Sequence, residues 1–163
     1  MSTPPPPANP GVAQLTIADR LKLPGLLPDE TKIFQAWWLL HGSEYTNPDF
    51  NVRVGTGFDP GDKLDAATRA NAIESTKKRI DALLWQGNQP YIVEVKFRAT
   101  PPVIGQMMAY RILWARQNPD KPEPLLLLLY CMIDPDTLFC LDKLGIASQA
   151  VYCDLSSVTV SKP

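Results

Sequence analysis

Two acids and a lysine interrupt apolar stretches near the middle of the chain. Asp81 lies within Arg79–Gln86, and Glu94 and Lys96 lie within Tyr91–Phe97. Both stretches have the composition of strands. Side chains alternate between the two faces of a strand, so Glu94 and Lys96 are predicted to share a face. Charged groups in buried strands cost free energy unless they pair or bind a cation.

A metal ion is one way to satisfy this group. If the two stretches pair as neighbouring strands across the turn Gly87–Pro90, Asp81 can lie beside Glu94. Two carboxylates that converge on one point suit a hard cation such as Mg²⁺. The alternative is a buried pair of an acid and a lysine that only satisfies itself.

The pattern resembles the signature of PD-(D/E)XK nucleases. Asp81, a spacer and then Glu94–Lys96 stand where that family has its acidic residue and its E-x-K triplet. Gln106–Tyr110 on the next predicted helix resembles the QxxxY motif of the RecB-type branch. The chain departs from the family at Ile80, where a proline is usual, and at Arg79, where the branch often has glycine. The resemblance covers roughly residues 30–131.

The resemblance implies a metal-dependent hydrolysis of DNA phosphodiester bonds, by an exonuclease or a structure-selective endonuclease. Asp81, Glu94 and the backbone carbonyl of Val95 would hold Mg²⁺ or Mn²⁺, which polarises the phosphoryl oxygen and lowers the pKa of an attacking water. Lys96 would supply positive charge or help to deprotonate that water.

Further site residues follow from the same resemblance. Gln106 and Tyr110 are four residues apart and share a helix face, where they would orient the site and touch the DNA backbone; a plain amphipathic helix is the alternative. Relatives often add a ligand from the first helix, for which Glu30, His41 and Glu44 are candidates. Glu30 and His41 lie about 16 Å apart along a helix, so at most one can reach the metal, and we favour His41 or Glu44.

Three arginines are candidates for contacts with nucleic acid. Arg53, Arg79 and Arg111 could meet phosphates, although exposed charges on strands and helices are the simpler interpretation. The formal net charge of −1 gives no global sign of a nucleic-acid partner.

The chain divides into an arm and a domain. Residues 1–28 contain Pro4–Pro7, Pro10, Pro24 and Pro28, which favours an extended segment without a core. It is either a disordered tail or an arm that binds a partner. The arm motivates a second hypothesis: a structural or assembly protein, such as a phage particle component, that oligomerises or joins a larger assembly through residues 1–28. Residues 29–163 form the nuclease-like domain.

The sequence predicts a protein that does not span a membrane. The longest apolar run, Leu125–Ile133, is too short for a bilayer span, and no signal peptide is recognisable. The three cysteines lack metal-binding spacing and are predicted to be reduced. We expect a cytoplasmic protein, or a virion protein if a phage encodes it.

The fold is predicted to be α/β, with a restriction-endonuclease-like core in the order α-β-β-β-α-β and a central mixed sheet flanked by helices. The predicted elements are helix Asp29–His41 capped by Asp29 or Thr31, loop Tyr45–Phe50, strand Asn51–Gly57, an inserted helix Leu64–Lys77, strands Arg79–Gln86 and Tyr91–Phe97, helix Thr100–Asn118, strand Leu125–Cys131, helix Pro135–Leu144 and strand Ala150–Leu155.

Overall fold

The protein has a five-stranded mixed sheet with helices on both faces. The computed structural model describes residues 23–151. The strands are β1 (Thr46–Val54), β2 (Lys78–Gln86), β3 (Gln89–Ala99), β4 (Leu125–Ile133) and β5 (Ala147–Ala150). The helices are α1 (Pro28–His41), α2 (Ala66–Thr76), α3 (Pro102–Gln117) and α4 (Pro135–Lys143), and a single 3₁₀ turn, Gly42–Glu44, follows α1. The predicted α/β class and the central mixed sheet are confirmed.

The sheet runs in chain order from β1 to β5. β1, β2 and β3 pair antiparallel, whereas β3, β4 and β5 pair parallel. A tight turn at Gly87, whose φ is +59°, joins β2 to β3, and such turns need a residue that tolerates positive φ. The parallel strands require helical crossovers, which α3 and α4 supply. Among residues 23–151, no helix combines the length and the hydropathy needed to cross a bilayer.

Alternation along β3 builds one core on each face of the sheet. Val93 and Val95 are fully buried in a cluster that also contains Phe34 of α1. Ile92 belongs to the cluster on the other face, with Met107 of α3. Burying each such side chain contributes about 1.5–3 kcal/mol. Because β3 is covered on both faces, its one fully buried charge, Glu94, is held in a rigid environment.

The amino end of the domain differs from the predicted pattern. Leu27 is the cap of α1, rather than Asp29 or Thr31, and its N–H donates to the Glu30 carboxylate over 2.9 Å. Pro28 at the first helical position has no N–H to satisfy, which is why it is tolerated there. Residues 1–22 of the predicted arm lie outside the described residues. The described residues before α1 pack on the domain, and Leu23 and Leu26 are buried in the core.

The predicted loop over Tyr45–Phe50 is wrong, because β1 begins at Thr46. The pairing of β1 with β2 is irregular between Thr46 and Asp49, and Asn47 has a φ of +48°. Such a bulge accommodates Pro48, which cannot donate to a ladder, on a strand at the edge of the sheet. The turn-like dipeptide Asn47-Pro48 therefore marks a bulge.

The last strand begins three residues earlier than predicted. β5 covers Ala147–Ala150, and the Val151 N–H donates to the Tyr130 carbonyl over 2.8 Å. Residues 152–155 of the predicted strand lie outside the described residues. The other predicted helices and strands are found within a few residues of their expected ends.

Gly57 should be irreplaceable in the connection between β1 and α2. A Cβ at Gly57 (φ +72°) would lie 2.1 Å from the carbonyl oxygen of Ile73, whereas one at Gly61 (φ +85°) would meet nothing within 4 Å. Both alanine variants carry the strain of positive φ, about 1–2 kcal/mol. We expect Gly57→Ala to lower the free energy of unfolding in urea by about 1–3 kcal/mol more than Gly61→Ala. Equal losses would contradict the observed contact with α2.

Candidate active site

The candidate site lies where β2 and β3 stop pairing. Their ladder is registered from Gln86 opposite Gln89 to Ala82 opposite Val93. Asp81 is the residue of β2 just before Ala82, where the ladder ends. Its side-chain Oδ2, in place of a backbone carbonyl of β2, accepts a hydrogen bond from the Val95 N–H over 2.9 Å.

This bond also orients the backbone of Val95. The N–H and C=O groups of an extended residue point to the same side of the strand. The Val95 carbonyl therefore faces the gap that holds the Asp81 carboxylate, as the predicted role of this carbonyl requires.

Three carboxylates converge on one ammonium at this gap. Lys96 Nζ lies 2.6 Å from Glu94 Oε1 and 3.9 Å from Asp81 Oδ2. It also lies 3.7 Å from Oε1 of Glu30, which comes from the first turn of α1. The structure thus brings together the two acids and the lysine that the sequence singled out, and it adds Glu30, one of the three candidates near the first helix.

Glu94 has more bonding capacity than its neighbours satisfy. Its side chain is 0% exposed. Oε1 faces Lys96 and accepts a hydrogen bond from Gln106 Nε2 over 2.5 Å. Oε2 is buried and has no hydrogen-bond partner among the described residues. A buried carboxylate oxygen without a partner is costly, so this atom has an unused position for a donor or a cation.

The charge balance of the cluster shifts the pKa values of its members. Burial, and then the negative charge of Asp81, raises the pKa of Glu94. Burial also raises the pKa of Asp81, although the Val95 N–H and the Lys96 charge act against it. Burial alone would lower the pKa of Lys96, but the charge and hydrogen bond of Glu94 outweigh it and raise that pKa. The lysine therefore stays charged, and the three acids share this single positive partner.

The predicted motif on α3 contacts the cluster directly. Gln106 and Tyr110 share the face of α3 that covers Glu94. Gln106 Nε2 donates to Glu94 Oε1 and, over 2.8 Å, to the Tyr110 hydroxyl. Burial and the nearby charge of Glu94 raise the pKa of Tyr110, so its hydroxyl remains protonated. Because that oxygen accepts from Gln106, its own hydrogen is available to a further acceptor.

His41 and Glu44 belong to a different network. The Trp37 indole N–H, which can only donate, bonds to Gln149 Oε1 over 2.8 Å. The Gln149 amide nitrogen therefore faces His41 Nε2, 3.0 Å away, which must accept. His41 Nδ1 then carries the hydrogen towards Glu44 Oε1, 3.1 Å away. These residues fasten the end of α1 to β5.

The favoured ligands from the first helix must therefore be corrected. His41 lies at the far end of α1, about 16 Å along the axis from Glu30, and Glu44 bonds to His41. The structure brings neither to the cluster, whereas Glu30 faces Lys96. A proline followed two residues later by an acid is a pattern of helix starts. The predicted helix Asp29–His41 already has Glu30 in its first turn, and only the packing of the helix shows that this end faces Lys96.

Only one of the three predicted arginines is unpaired. Arg53 bonds to the carbonyl of Glu74 and lies 3.4 Å from its carboxylate. Arg111 lies 3.3 Å from Glu123 Oε1. The side chain of Arg79 is exposed and makes no hydrogen bond or ion pair with the described residues. Of these three, Arg79 is thus the cation most accessible to a phosphate.

The donor set fits a hard divalent cation, although the described residues hold no ready-made cage of three or more His, Cys, Asp or Glu side chains. Lys96 Nζ lies among the carboxylates. The unpartnered Glu94 oxygen and the excess of acids over cations are what such an ion would satisfy. No family model, curated protein or solved structure matches this chain. The fold and the cluster therefore define an α/β protein with an acid-rich site at a gap in its sheet.

The stability of the protein should fall as pH rises across the range in which these acids titrate. Glu94 and Asp81 keep protons in the folded state that an unfolded carboxyl loses near pH 4. The folded state therefore loses stability as pH rises from about 5 to 8. In urea unfolding across this range without divalent ions, Glu94→Gln should flatten the slope. Asp120→Asn, a change at an exposed acid, should leave the slope as in the wild type. If Glu94→Gln does not alter the slope, the raised pKa of Glu94 is refuted.

Binding of Mn²⁺ should distinguish the two ends of α1. We expect Glu30→Gln to weaken binding about 10–100-fold, because the amide keeps the cap on Leu27 but removes the charge beside Lys96. Glu44→Gln, the same change at the other end of the helix, should bind Mn²⁺ as tightly as the wild type does. Calorimetry without nucleic acid measures both. Weaker binding only in Glu44→Gln would restore the original assignment.

Proposed function

We propose that this protein is a metal-dependent nuclease that hydrolyses DNA phosphodiester bonds. The observation that carries the proposal is the convergence of Asp81, Glu94 and Lys96 at the gap between β2 and β3, with one Glu94 oxygen unpartnered. A purely structural pair would not need three acids around one lysine, and buried ion pairs contribute little to stability. The PD-(D/E)XK resemblance agrees with this arrangement.

Four oxygen donors are available for Mg²⁺ or Mn²⁺. They are the carboxylates of Asp81 and Glu94, the backbone carbonyl of Val95 and, from α1, the carboxylate of Glu30. When bound, the ion supplies Lewis acidity towards a phosphoryl oxygen and lowers the pKa of a water. The residues themselves position the phosphate and hold the charge.

Lys96 acts as a fixed positive charge. Its raised pKa keeps the ammonium protonated, so charge stabilisation is favoured over the alternative of proton abstraction. The side chain is 28% exposed, and its ammonium can therefore contact a phosphate that approaches from solvent. A positioned cation of this kind is worth most where charge develops in the transition state.

Gln106 and Tyr110 support the site from α3. Gln106 fixes the orientation of the Glu94 carboxylate through its 2.5 Å hydrogen bond. The Tyr110 hydroxyl, which accepts from the same amide, can donate its hydrogen to a phosphate oxygen. Removing the Gln106 amide would free both side chains at once, so Gln106 is a positioning residue.

The alternative hypothesis concerns residues that the structure mostly does not describe. An assembly protein held in a particle or oligomer through residues 1–28 remains a prediction. A cytoplasmic or virion location is likewise a prediction. Both are compatible with hydrolysis, because a particle component can carry an active site.

Cleavage of labelled DNA in Mg²⁺ tests the proposal. We expect Asp81→Asn, Glu94→Gln and Lys96→Met each to lower the single-turnover rate by at least about 100-fold, the loss typical of a removed electrostatic group. Asp142→Asn and Lys143→Met make the same chemical changes at an exposed pair on α4 and should retain the wild-type rate. Equal rates in all five variants would reject the assigned roles.

A further inference from the structure

A cleft opens beside the cluster, at the carboxyl ends of the parallel strands β3 and β4. It has a volume of about 640 Å³ and is open to solvent. One side is formed by Arg98–Thr100, where β3 leads into α3, and the other by Tyr130–Asp134, where β4 leads into α4. We call it the Arg98 cleft. In open α/β sheets, ligands commonly bind outside the carboxyl ends of strands.

The register of the sheet places this cleft next to the proposed active site. Lys96 lies opposite Tyr130, and Arg98 lies opposite Met132. Residues two apart on a strand share a face and are separated by about 7 Å. Lys96 therefore lies about 7 Å before Arg98 on the same face of β3, and Arg98 lines the cleft.

Arg98 is an unpaired cation. Its side chain is exposed and makes no hydrogen bond or ion pair with the described residues, whereas the side chains of Arg53 and Arg111 are held by Glu74 and Glu123. The nearest acid in the cleft, Asp134, accepts hydrogen bonds from the Thr137 N–H and hydroxyl at the start of α4. The Arg98 guanidinium is therefore free to bind a phosphate, for which its planar fork is suited.

Polar and apolar groups share the rest of the lining, in which Thr100 and Asp134 supply polar atoms. Ala99, Met132 and Ile133 supply its apolar part, and Tyr130, which also belongs to the core, is almost wholly buried. A free guanidinium beside a wall of mixed polarity suits a nucleotide, whose phosphate is charged and whose flat base has apolar faces and polar edges. The cleft has room for a base only if that base has left its stack, and unstacking costs least in a single strand.

We propose that the Arg98 cleft receives the unpaired nucleotide adjacent to the phosphate at Lys96, so that the protein acts on single-stranded DNA or on frayed ends. This inference rests on the proposed function for the position of the scissile phosphate. Arg98 contacts the neighbouring phosphate, and the half-buried Met132 contacts the base.

Binding measured without divalent ions tests the cleft separately from hydrolysis. Fluorescence anisotropy in EDTA compares a labelled single-stranded oligothymidylate with a blunt duplex of equal length, at several salt concentrations. We expect the single strand to bind at least about tenfold tighter, because base contacts add to the backbone term. Arg98→Ala should weaken single-strand binding about tenfold and lower the salt slope by about one.

Arg116→Ala is the matched control. Arg116 is also exposed and unpaired among the described residues, but it lies at the other end of α3, about 20 Å from the cleft. It should leave single-strand affinity unchanged. Equal losses in Arg98→Ala and Arg116→Ala, or equal binding of the duplex and the single strand, would overturn the proposal.

A base-specific readout completes the test. Removing one base from the oligonucleotide, at each position in turn, should weaken binding several-fold at one position in the wild type and less in Met132→Ala. No position with such an effect would refute the base contact. Binding that depends on Arg98, without cleavage in Mg²⁺, would reject hydrolysis and support the cleft. Cleavage with the same rate in the wild type and Arg98→Ala would support hydrolysis and reject the cleft.

Discussion

The excess of negative charge at the gap between β2 and β3 is the constraint on which the rest of the structure depends. Three carboxylates, from Glu30, Asp81 and Glu94, surround the single ammonium of Lys96. Removing one partner of a buried pair typically costs about 3–5 kcal/mol, so these groups are tolerated only because rigid elements hold them together. Because three acids share one ammonium, a further cation that binds there would be stabilised by the excess negative charge.

Each element contributes one part of this arrangement. The end of the β2–β3 ladder frees the Val95 backbone for the Asp81 side chain. The first turn of α1 delivers Glu30, and α3 covers Glu94 with Gln106. The parallel pairing of β3 with β4 then places the Arg98 cleft at the same edge. The candidate cluster and the proposed Arg98 cleft thus share one strand, β3.

Local periodicity accounts for what could be predicted. Period two along β3 placed Glu94 and Lys96 on one face, and four-residue spacing placed Gln106 beside Tyr110; both contacts are present. The bulge in β1 escaped prediction because Asn47-Pro48 has the composition of a turn. Only the pairing with β2 shows that this dipeptide continues a strand, and pairing between distant segments cannot be read from composition.

By itself, the amino-acid sequence determined the strand faces, the motif helix and the charge of the candidate site, because these follow from spacings of two to four residues. The tertiary structure alone decided that Glu30, and not His41, reaches Lys96, because both share a face of α1 and only the packing of the helix selects an end. It also decided that Arg98 is free while Arg53 and Arg111 are paired. Their acidic partners lie on other elements, and the contacts form only when those elements pack.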